Sequence, residues 1–205
     1  MPAVPYERAV GAACRVLAAG GVVLYPTDTV YGLGADTTNE GAVETVRCIK
    51  GRERSKPILA LVADLAMLEA YAHLTPRALM LARELLPGPL TLVLDPLGTA
   101  LKPLWNSDGS VGFRIPDHPL CRMLVHSFGR PITTTSANRT GMTQPATLAG
   151  ICAQLGPTAP LTLVLDDGVR TGLPSTIVDV RGDVVRVVRE GALPCVRIEA
   201  VLGRL

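Results

Sequence analysis

Two arginines stand at the ends of apolar runs, Arg114 in SVGFRIP and Arg189 in VVREGAL, and four more cations, Lys50, Arg52, Arg54 and Lys56, fall within seven residues of KGRERSKP. Guanidinium forks grip carboxylates and phosphates through paired N–H donors, and cations fixed beside a sheet suit a polyphosphate. Each group also has a plainer reading. The basic run can be a solvated face at the end of a helix, where cations complement the dipole, and an arginine can form a surface ion pair, Arg189 with Glu190 for example. The row Pro131-Ile-Thr-Thr-Thr-Ser-Ala-Asn138 supplies four hydroxyls and an amide. As a strand it puts Thr134, Ser136 and Asn138 on one face, suited to a substrate with several oxygens; otherwise it is a threonine-rich edge strand.

Ser175 in LPSTIVD and Thr29 in YPTDTVYGLG add hydroxyls beside further apolar runs. In the second stretch Gly32 and Gly34 can bring backbone N–H groups to an anion. The third glycine of a dinucleotide fingerprint and a Walker lysine are both missing, so an ordinary turn is an equal reading. His73, His118 and His126 have no metal-ligand spacing with a carboxylate and read as capping or surface residues. Without a G-x-S-x-G elbow or a Ser-His-Asp set, covalent catalysis has no support.

These groups need elements to hold them. Val10, Ala13, Cys14 and Leu17 have helical spacing over 6–19, stopped by Gly20-Gly21, and a strand follows over Val22 to Tyr25. Asn39 caps a helix that ends near Gly51, and Ile58 to Val62 reads as a buried strand. Thr75-Pro76 opens a helix to about Leu86, ahead of Pro87-Gly88-Pro89. Strands are expected at Leu90 to Leu94, Ser110 to Ile115, Ile132 to Thr135 and Leu161 to Leu165. Thr176 to Val180 and Val184 to Val188 form a hairpin around Arg181-Gly182-Asp183. Helices over about His118 to Phe128 and Leu148 to Leu155 complete an α/β fold with a mixed sheet.

Apolar residues make up 48% of the 205, yet aromatics only 3%, so the core must be built from Ala, Val, Leu and Ile. A net charge of +2 does not by itself imply nucleic-acid binding. The five cysteines are scattered, odd in number and form no C-x-x-C, which argues against a zinc knuckle or disulfide framework and fits a reducing compartment. With no signal pattern, no linker and no apolar stretch of the roughly 20 residues a span needs, residues 1–205 read as one soluble, cytoplasmic domain with no membrane association.

YPTDTVYGLG, KGRERSKP, LLPGPLTLVL, VGFRIPDHP, TTSANRTG, PSTIVDV and VREGAL occur together in the order and spacing of the YrdC/TsaC family, the threonylcarbamoyl-adenylate synthases; the chain resembles that family from about Gly21 to Leu193. The resemblance implies a YrdC-like twisted mixed β-sheet with flanking helices around a deep basic cavity. It implies conversion of ATP, L-threonine and bicarbonate or CO2 into L-threonylcarbamoyl-AMP and pyrophosphate, with Mg2+ accompanying the nucleotide. That product feeds threonylcarbamoyl modification of adenosine 37 in tRNAs reading codons that begin with A, through partner transferase proteins. The family's catalytic tetrad falls on Lys50, Arg52, Ser136 and Asn138. Its ATP contacts fall on Arg52, Lys56, Ser110, Ser136, Gln144 and Arg189. Its threonine contacts fall on Thr29, Leu61 (through its backbone), Arg114, Thr134 and Ser175. Glu53, Gln144 and Ser110 stand where the family often has proline, a small hydroxyl residue and threonine, and the chain's length resembles the short form. The alternatives are a double-stranded RNA-binding protein of this fold or a YciO-like paralogue, against which the intact tetrad argues.

Overall fold

The computed structural model describes residues 6–53 and 56–203. Helix α1 (Tyr6–Ala18) buries Val10, Ala13 and Leu17 and is followed by strand β1 (Val23–Tyr25), which is buried throughout. Strand β2 (Gly32–Gly34) returns antiparallel to β1 and leads to α2 (Glu40–Lys50). The Asn39 side chain accepts from Ala42 N at 3.1 Å. At the other end Gly51, at φ 58°, closes α2 in the left-handed conformation that favours glycine, so the chain leaves the helix immediately after Lys50.

The remaining elements are β3 (Leu59–Leu61), α3 (Leu65–Tyr71), β4 (Ala72–His73), α4 (Pro76–Leu85), β5 (Leu90–Pro96), a 3-10 turn (Lys102–Leu104), β6 (Val111–Arg114), α5 (Pro119–Phe128), β7 (Ile132–Thr134), α6 (Leu148–Leu155), β8 (Leu163–Val164), β9 (Thr176–Asp179), β10 (Arg186–Arg189) and α7 (Cys195–Leu202). A seven-stranded sheet runs β10-β9-β5-β6-β3-β7 with β4 beside β5, and a three-stranded sheet runs β2-β1-β8. Parallel pairs (β3/β6, β5/β9, β1/β8) alternate with antiparallel ones (β5/β6, β3/β7, β9/β10), the mixture that hairpins and crossovers together dictate.

The two sheets are stitched where β2 meets β7. Leu33 N donates to Thr135 O at 2.9 Å and Thr133 N to Ala35 O at 2.8 Å. The Thr133 hydroxyl accepts from Ala35 N and donates to Leu33 O. Tyr25 crosses this seam. It pairs with Gly32 in the β1/β2 register, its ring covers both glycines, and its hydroxyl donates to Thr133 O at 3.2 Å. A Cβ on Gly34 would stand 2.8 Å from Tyr25 Cε1, and one on Gly32 3.0 Å from Cζ. The paired glycines are therefore strand residues that admit an aromatic ring. This corrects the expectation that they form an ordinary turn or a loop for an anion.

Core packing divides between the two faces. Helices α1 and α5 pack with Tyr25, Leu61 and Ile132 in one cluster, while Val43, Val46, Leu81, Phe113, Ile151 and Ile198 belong to the other. The expected helices and strands all occur, within a few residues at their ends. The sequence reading lacked β2, α3, β4 and α7. α3 and α7 bury one residue each, Leu68 and Ile198, so neither carries an apolar stripe to announce it. No helix among the described residues is long and apolar enough to cross a membrane.

The Tyr25 seam generates a test. Gly34→Ala should destabilise the fold by about 1–3 kcal/mol, the usual cost of overpacking a filled core. Urea unfolding of the purified variant measures it, and an unchanged midpoint would show that the ring does not seal against the strand.

Candidate active site

A cleft opens over the sheet face where Leu59 of β3 and Ile177 of β9 form the floor. It encloses about 660 Å³ of empty space continuous with solvent. Its walls come from Thr27, Thr29, Val30 and Tyr31 between β1 and β2 and Gly32 at the start of β2, from Thr134 to Ser136 at the end of β7, from Pro174 and Ser175 before β9, and from three arginines, Arg52, Arg114 and Arg189. Along β6 the residues Ser110, Gly112 and Arg114 share one face by the period-2 rule. A Cβ on Gly112 would stand 2.6 Å from Leu59 Cδ2, so glycine is what lets the floor close.

Arg114, 5% exposed at the end of β6, is held by three partners. Its Nη2 donates to Asp28 Oδ1 at 2.6 Å, Nη1 to the Thr29 hydroxyl at 2.9 Å, and Nε to Gly88 O at 3.3 Å. Asp28 and Thr29 belong to the connection after β1, and Gly88 to the turn before β5, so three chain segments converge on one guanidinium. On the floor beside it, Thr91 and Ser175 hydroxyls lie 2.8 Å apart.

The second cluster centres on Lys50, the last residue of α2, which is 2% exposed and lies behind the wall. Its ammonium donates to Ser136 O, to Asn138 O at 2.9 Å and to Asn138 Oδ1 at 3.1 Å, while the Ser136 hydroxyl donates to Asn138 Oδ1 at 2.5 Å. Burial, with a smaller push from Arg52, moves the Lys50 ammonium down to about 7. Its three oxygen acceptors work the other way, since each takes an N–H of the charged form. Lys50 and Asn138 thus fix the main chain that presents Ser136 to the cleft. Removing the Lys50 side chain would strand these buried oxygens, so Lys50→Ala cannot be expected to leave the fold intact.

Arg52 and Arg189 differ from Arg114 in having no acidic partner among the described residues. Arg52 Nη1 donates to Thr135 Oγ1 at 3.2 Å, and its buried Nε has no partner. Arg189 Nη2 donates to Ser175 O at 2.7 Å; Glu190 instead accepts from Cys195 N, so the surface pair expected as the plainer reading does not form. Burial holds both guanidinium groups below their usual range. Arg47 and Arg189 add to this at Arg52, and Arg114 adds to it at Arg189. Like charges therefore face one another with no acid in the described wall.

Thr29, Arg52, Arg114, Thr134, Ser136, Ser175 and Arg189 are brought to one cleft wall. Asn138 is turned inward onto Lys50, Ser136 and the Met142 carbonyl, so the expected common face of Thr134, Ser136 and Asn138 breaks after Ser136. Leu61 lies beside Arg114 in the β3/β6 ladder with its side chain in the core. Ser110 lies at the far end of β6, its hydroxyl donating to Asp108 at 2.6 Å. Gln144 accepts from Ala137 N at 2.7 Å and leaves a buried Nε2 without a partner. Lys56 is exposed and off the wall, and Arg54 lies outside the described residues.

Sequence reasoning missed Asp28, Thr27, Tyr31 and Pro174. Three of them sit inside YPTDTVYGLG, and the signal was an acid next to Thr29 in a stretch otherwise without charge. His118 is buried beside the N-terminus of α5 and pairs with Asp167 at 2.9 Å, rather than capping the helix through its side chain.

The model of the Sua5/YciO/YrdC family, described as "Telomere recombination", matches residues 15–191. The threonylcarbamoyl-AMP synthase of Vibrio vulnificus (strain YJ016) is 34% identical over 180 residues, covering 86% of this chain and 95% of that protein. The threonylcarbamoyl-AMP synthase of Bacillus subtilis (strain 168) is 34% identical over 194 residues and 93% of this chain; the chain spans about half that relative's length, 56%. Among solved structures, that of P. abyssi Sua5 complexed with L-threonine superposes with a TM-score of 0.87 at 31% identity, over 97% of this chain and 58% of the other. E. coli YciO superposes with a TM-score of 0.85 at 26% identity, over 93% and 92%. With the family model spanning most of its length and these relatives sharing its sheet, the chain belongs to the Sua5/YciO/YrdC family.

Proposed function

We propose that this protein is an L-threonylcarbamoyladenylate synthase, joining L-threonine, bicarbonate or CO2, and the AMP portion of ATP, with release of pyrophosphate. The observation that carries this reading is a single cleft holding two kinds of cation: Arg114, neutralised by Asp28, and Arg52 with Arg189, which have no acid partner among the described residues. The neutralised end, with Thr29, Thr134, Ser175 and the Leu61 backbone, suits an amino acid. The unneutralised end, with Ser136 and with Lys56, Ser110 and Gln144 farther out, suits a triphosphate.

In this reading the α-amine of threonine attacks the carbon of CO2, and one oxygen of the resulting N-carboxylate attacks the α-phosphorus of ATP. The bond from that phosphorus to the bridging oxygen breaks, and pyrophosphate leaves with the electron pair. No protein nucleophile takes part. Rate enhancement comes from alignment of the reactants and from fixed cations facing the charge that accumulates on the phosphates. Lys50 and Asn138 contribute by holding the Ser136 segment in place. Mg2+ would come with the nucleotide and be held by phosphate oxygens and water, because the described wall offers cations and hydroxyls but no carboxylate. The adenylate would then be passed to transferase proteins that modify adenosine 37 of tRNA. A YciO-like activity is the second reading, favoured by the superposition on E. coli YciO.

Threonine-dependent pyrophosphate release separates the two readings. The wild-type protein should show it, and Arg52→Ala should lose about 10²–10³ in rate, the usual effect of deleting one preorganised charge donor. A rate near wild type in Arg52→Ala would remove Arg52 from the site, and release indifferent to threonine would favour the second reading.

Arg114→Lys keeps the charge but not the fork. Threonine affinity measured by calorimetry should fall by about 1.5–3 kcal/mol, with ATP affinity in the absence of threonine little changed. A loss confined to ATP would move Arg114 to the nucleotide end.

A further inference from the structure

Thr29 faces the cleft with its hydroxyl, and its main chain is met from behind. A Cβ on Gly172 would stand 2.5 Å from Thr29 O and 3.1 Å from the Thr29 carbonyl carbon, although Gly172 is not part of the cleft lining. Gly172 has no positive φ, so close approach rather than backbone conformation is what glycine serves there. Residues 166–174, between β8 and β9, thus form a strap that passes in contact along the outside of the segment carrying Thr29. The strap has no helix or strand of its own. Its apolar side chains Val169 and Leu173 are exposed, so polar contacts decide where it lies.

Those contacts are of three kinds. At the two ends Leu165 N donates to Leu24 O and Ala192 N to Pro174 O, each at 2.8 Å. Midway, Arg170 N donates to Ala146 O at 2.9 Å, and Asp167 pairs with Arg170 and His118. The third is Tyr31, a buried residue of the cleft wall. Its hydroxyl donates to Gly168 O at 2.7 Å and accepts from Asp167 N at 3.0 Å. Tyr31 follows Thr29 by two residues. Its hydroxyl ties the strap to the connection between β1 and β2, and the bare Cα of Gly172 sets the spacing between them.

We infer that Tyr31, through its hydroxyl, and Gly172, through its missing side chain, are positioning residues for the amino-acid end of the cleft: together they hold the Thr29 segment where its hydroxyl meets Arg114 at 2.9 Å. The Tyr31 hydroxyl is spent on the strap and Gly172 lies outside the wall, so both act through Thr29. The phosphate-facing end is held independently. Arg189 is anchored by Ser175 O, and the main chain on either side of Ser175 is fixed by Ala192 N on Pro174 O and by Thr176 N on Pro89 O. This rests on the synthase reading above for the identity of the amino acid and adds to it what sets the geometry of that subsite.

Titration calorimetry of L-threonine and, separately, of ATP into the wild-type protein, Tyr31→Phe, Gly172→Ala and the double variant tests it. Tyr31→Phe keeps the ring, and water can replace the hydroxyl on the exposed Gly168 and half-buried Asp167, so its thermal unfolding should stay near wild type. Its threonine affinity should fall about three- to tenfold, the loss of one or two hydrogen bonds, with ATP affinity little changed. In Gly172→Ala the strap is still latched by Tyr31, so Thr29 gives way and threonine affinity should fall about tenfold, again without a matching loss for ATP. In the double variant the unlatched strap can retreat from the new methyl group, so threonine affinity should be no lower than in Gly172→Ala alone. Additive losses in the double variant, equal losses for ATP and threonine, or wild-type threonine affinity in either single variant overturn the inference and leave the synthase reading standing. A wild-type protein that binds no threonine overturns both, and that reading first.

Discussion

Three guanidinium groups are held facing one cleft by strands and turns that, among the described residues, leave two of them without acid partners. Arg52 and Arg189 are pushed below their usual range by burial and by neighbouring cations, so the ligand-free fold tolerates repulsion that it does not relieve internally. The tolerance is structural. Arg189 is anchored by the Ser175 carbonyl, Arg52 by the Thr135 hydroxyl, and the chain between Thr134 and Asn138 is pinned from below by Lys50. A polyanion would relieve the repulsion without moving any of these groups, which is the preorganisation that electrostatic catalysis requires.

Asp28 divides the cleft. Its pairing with Arg114 makes one end nearly neutral and geometrically rigid, while the other end stays strongly positive. A small zwitterion and a triphosphate have different demands, carboxylate geometry for one and net charge for the other. Their reacting ends would meet near Thr134 to Ser136, between the two. The Tyr25 seam supports this arrangement: it helps lock β2 to β7, and those strands deliver the Thr29 connection and the Thr134 segment to the same wall.

Most of the scaffold was legible in the sequence because its signals are local. Asn39 and Gly51 mark both ends of α2, Thr75-Pro76 opens α4, and Arg181-Gly182-Asp183 sits in the hairpin between β9 and β10. Gly32 and Gly34 were misread because their reason lies across the strand pair, in the Tyr25 ring, and no window along the chain contains that contact. The same limit explains Asp28. Its importance depends on Arg114, 86 residues away, a pairing that only the fold establishes. Thr134 and Ser136 reach the wall as expected, but alternation ends with the strand at Thr134: Thr135 lines the wall as well, and the Asn138 amide turns to Lys50.

The central claim is that the two ends of this cleft serve one reaction. Incubating the protein with ATP, L-threonine and isotopically labelled bicarbonate, and examining the nucleotides by mass spectrometry, addresses it directly. The account predicts a threonylcarbamoyl-adenylate that carries the label and forms only when threonine is present. ATP consumed with no labelled adenylate, or an adenylate formed without threonine, would contradict it.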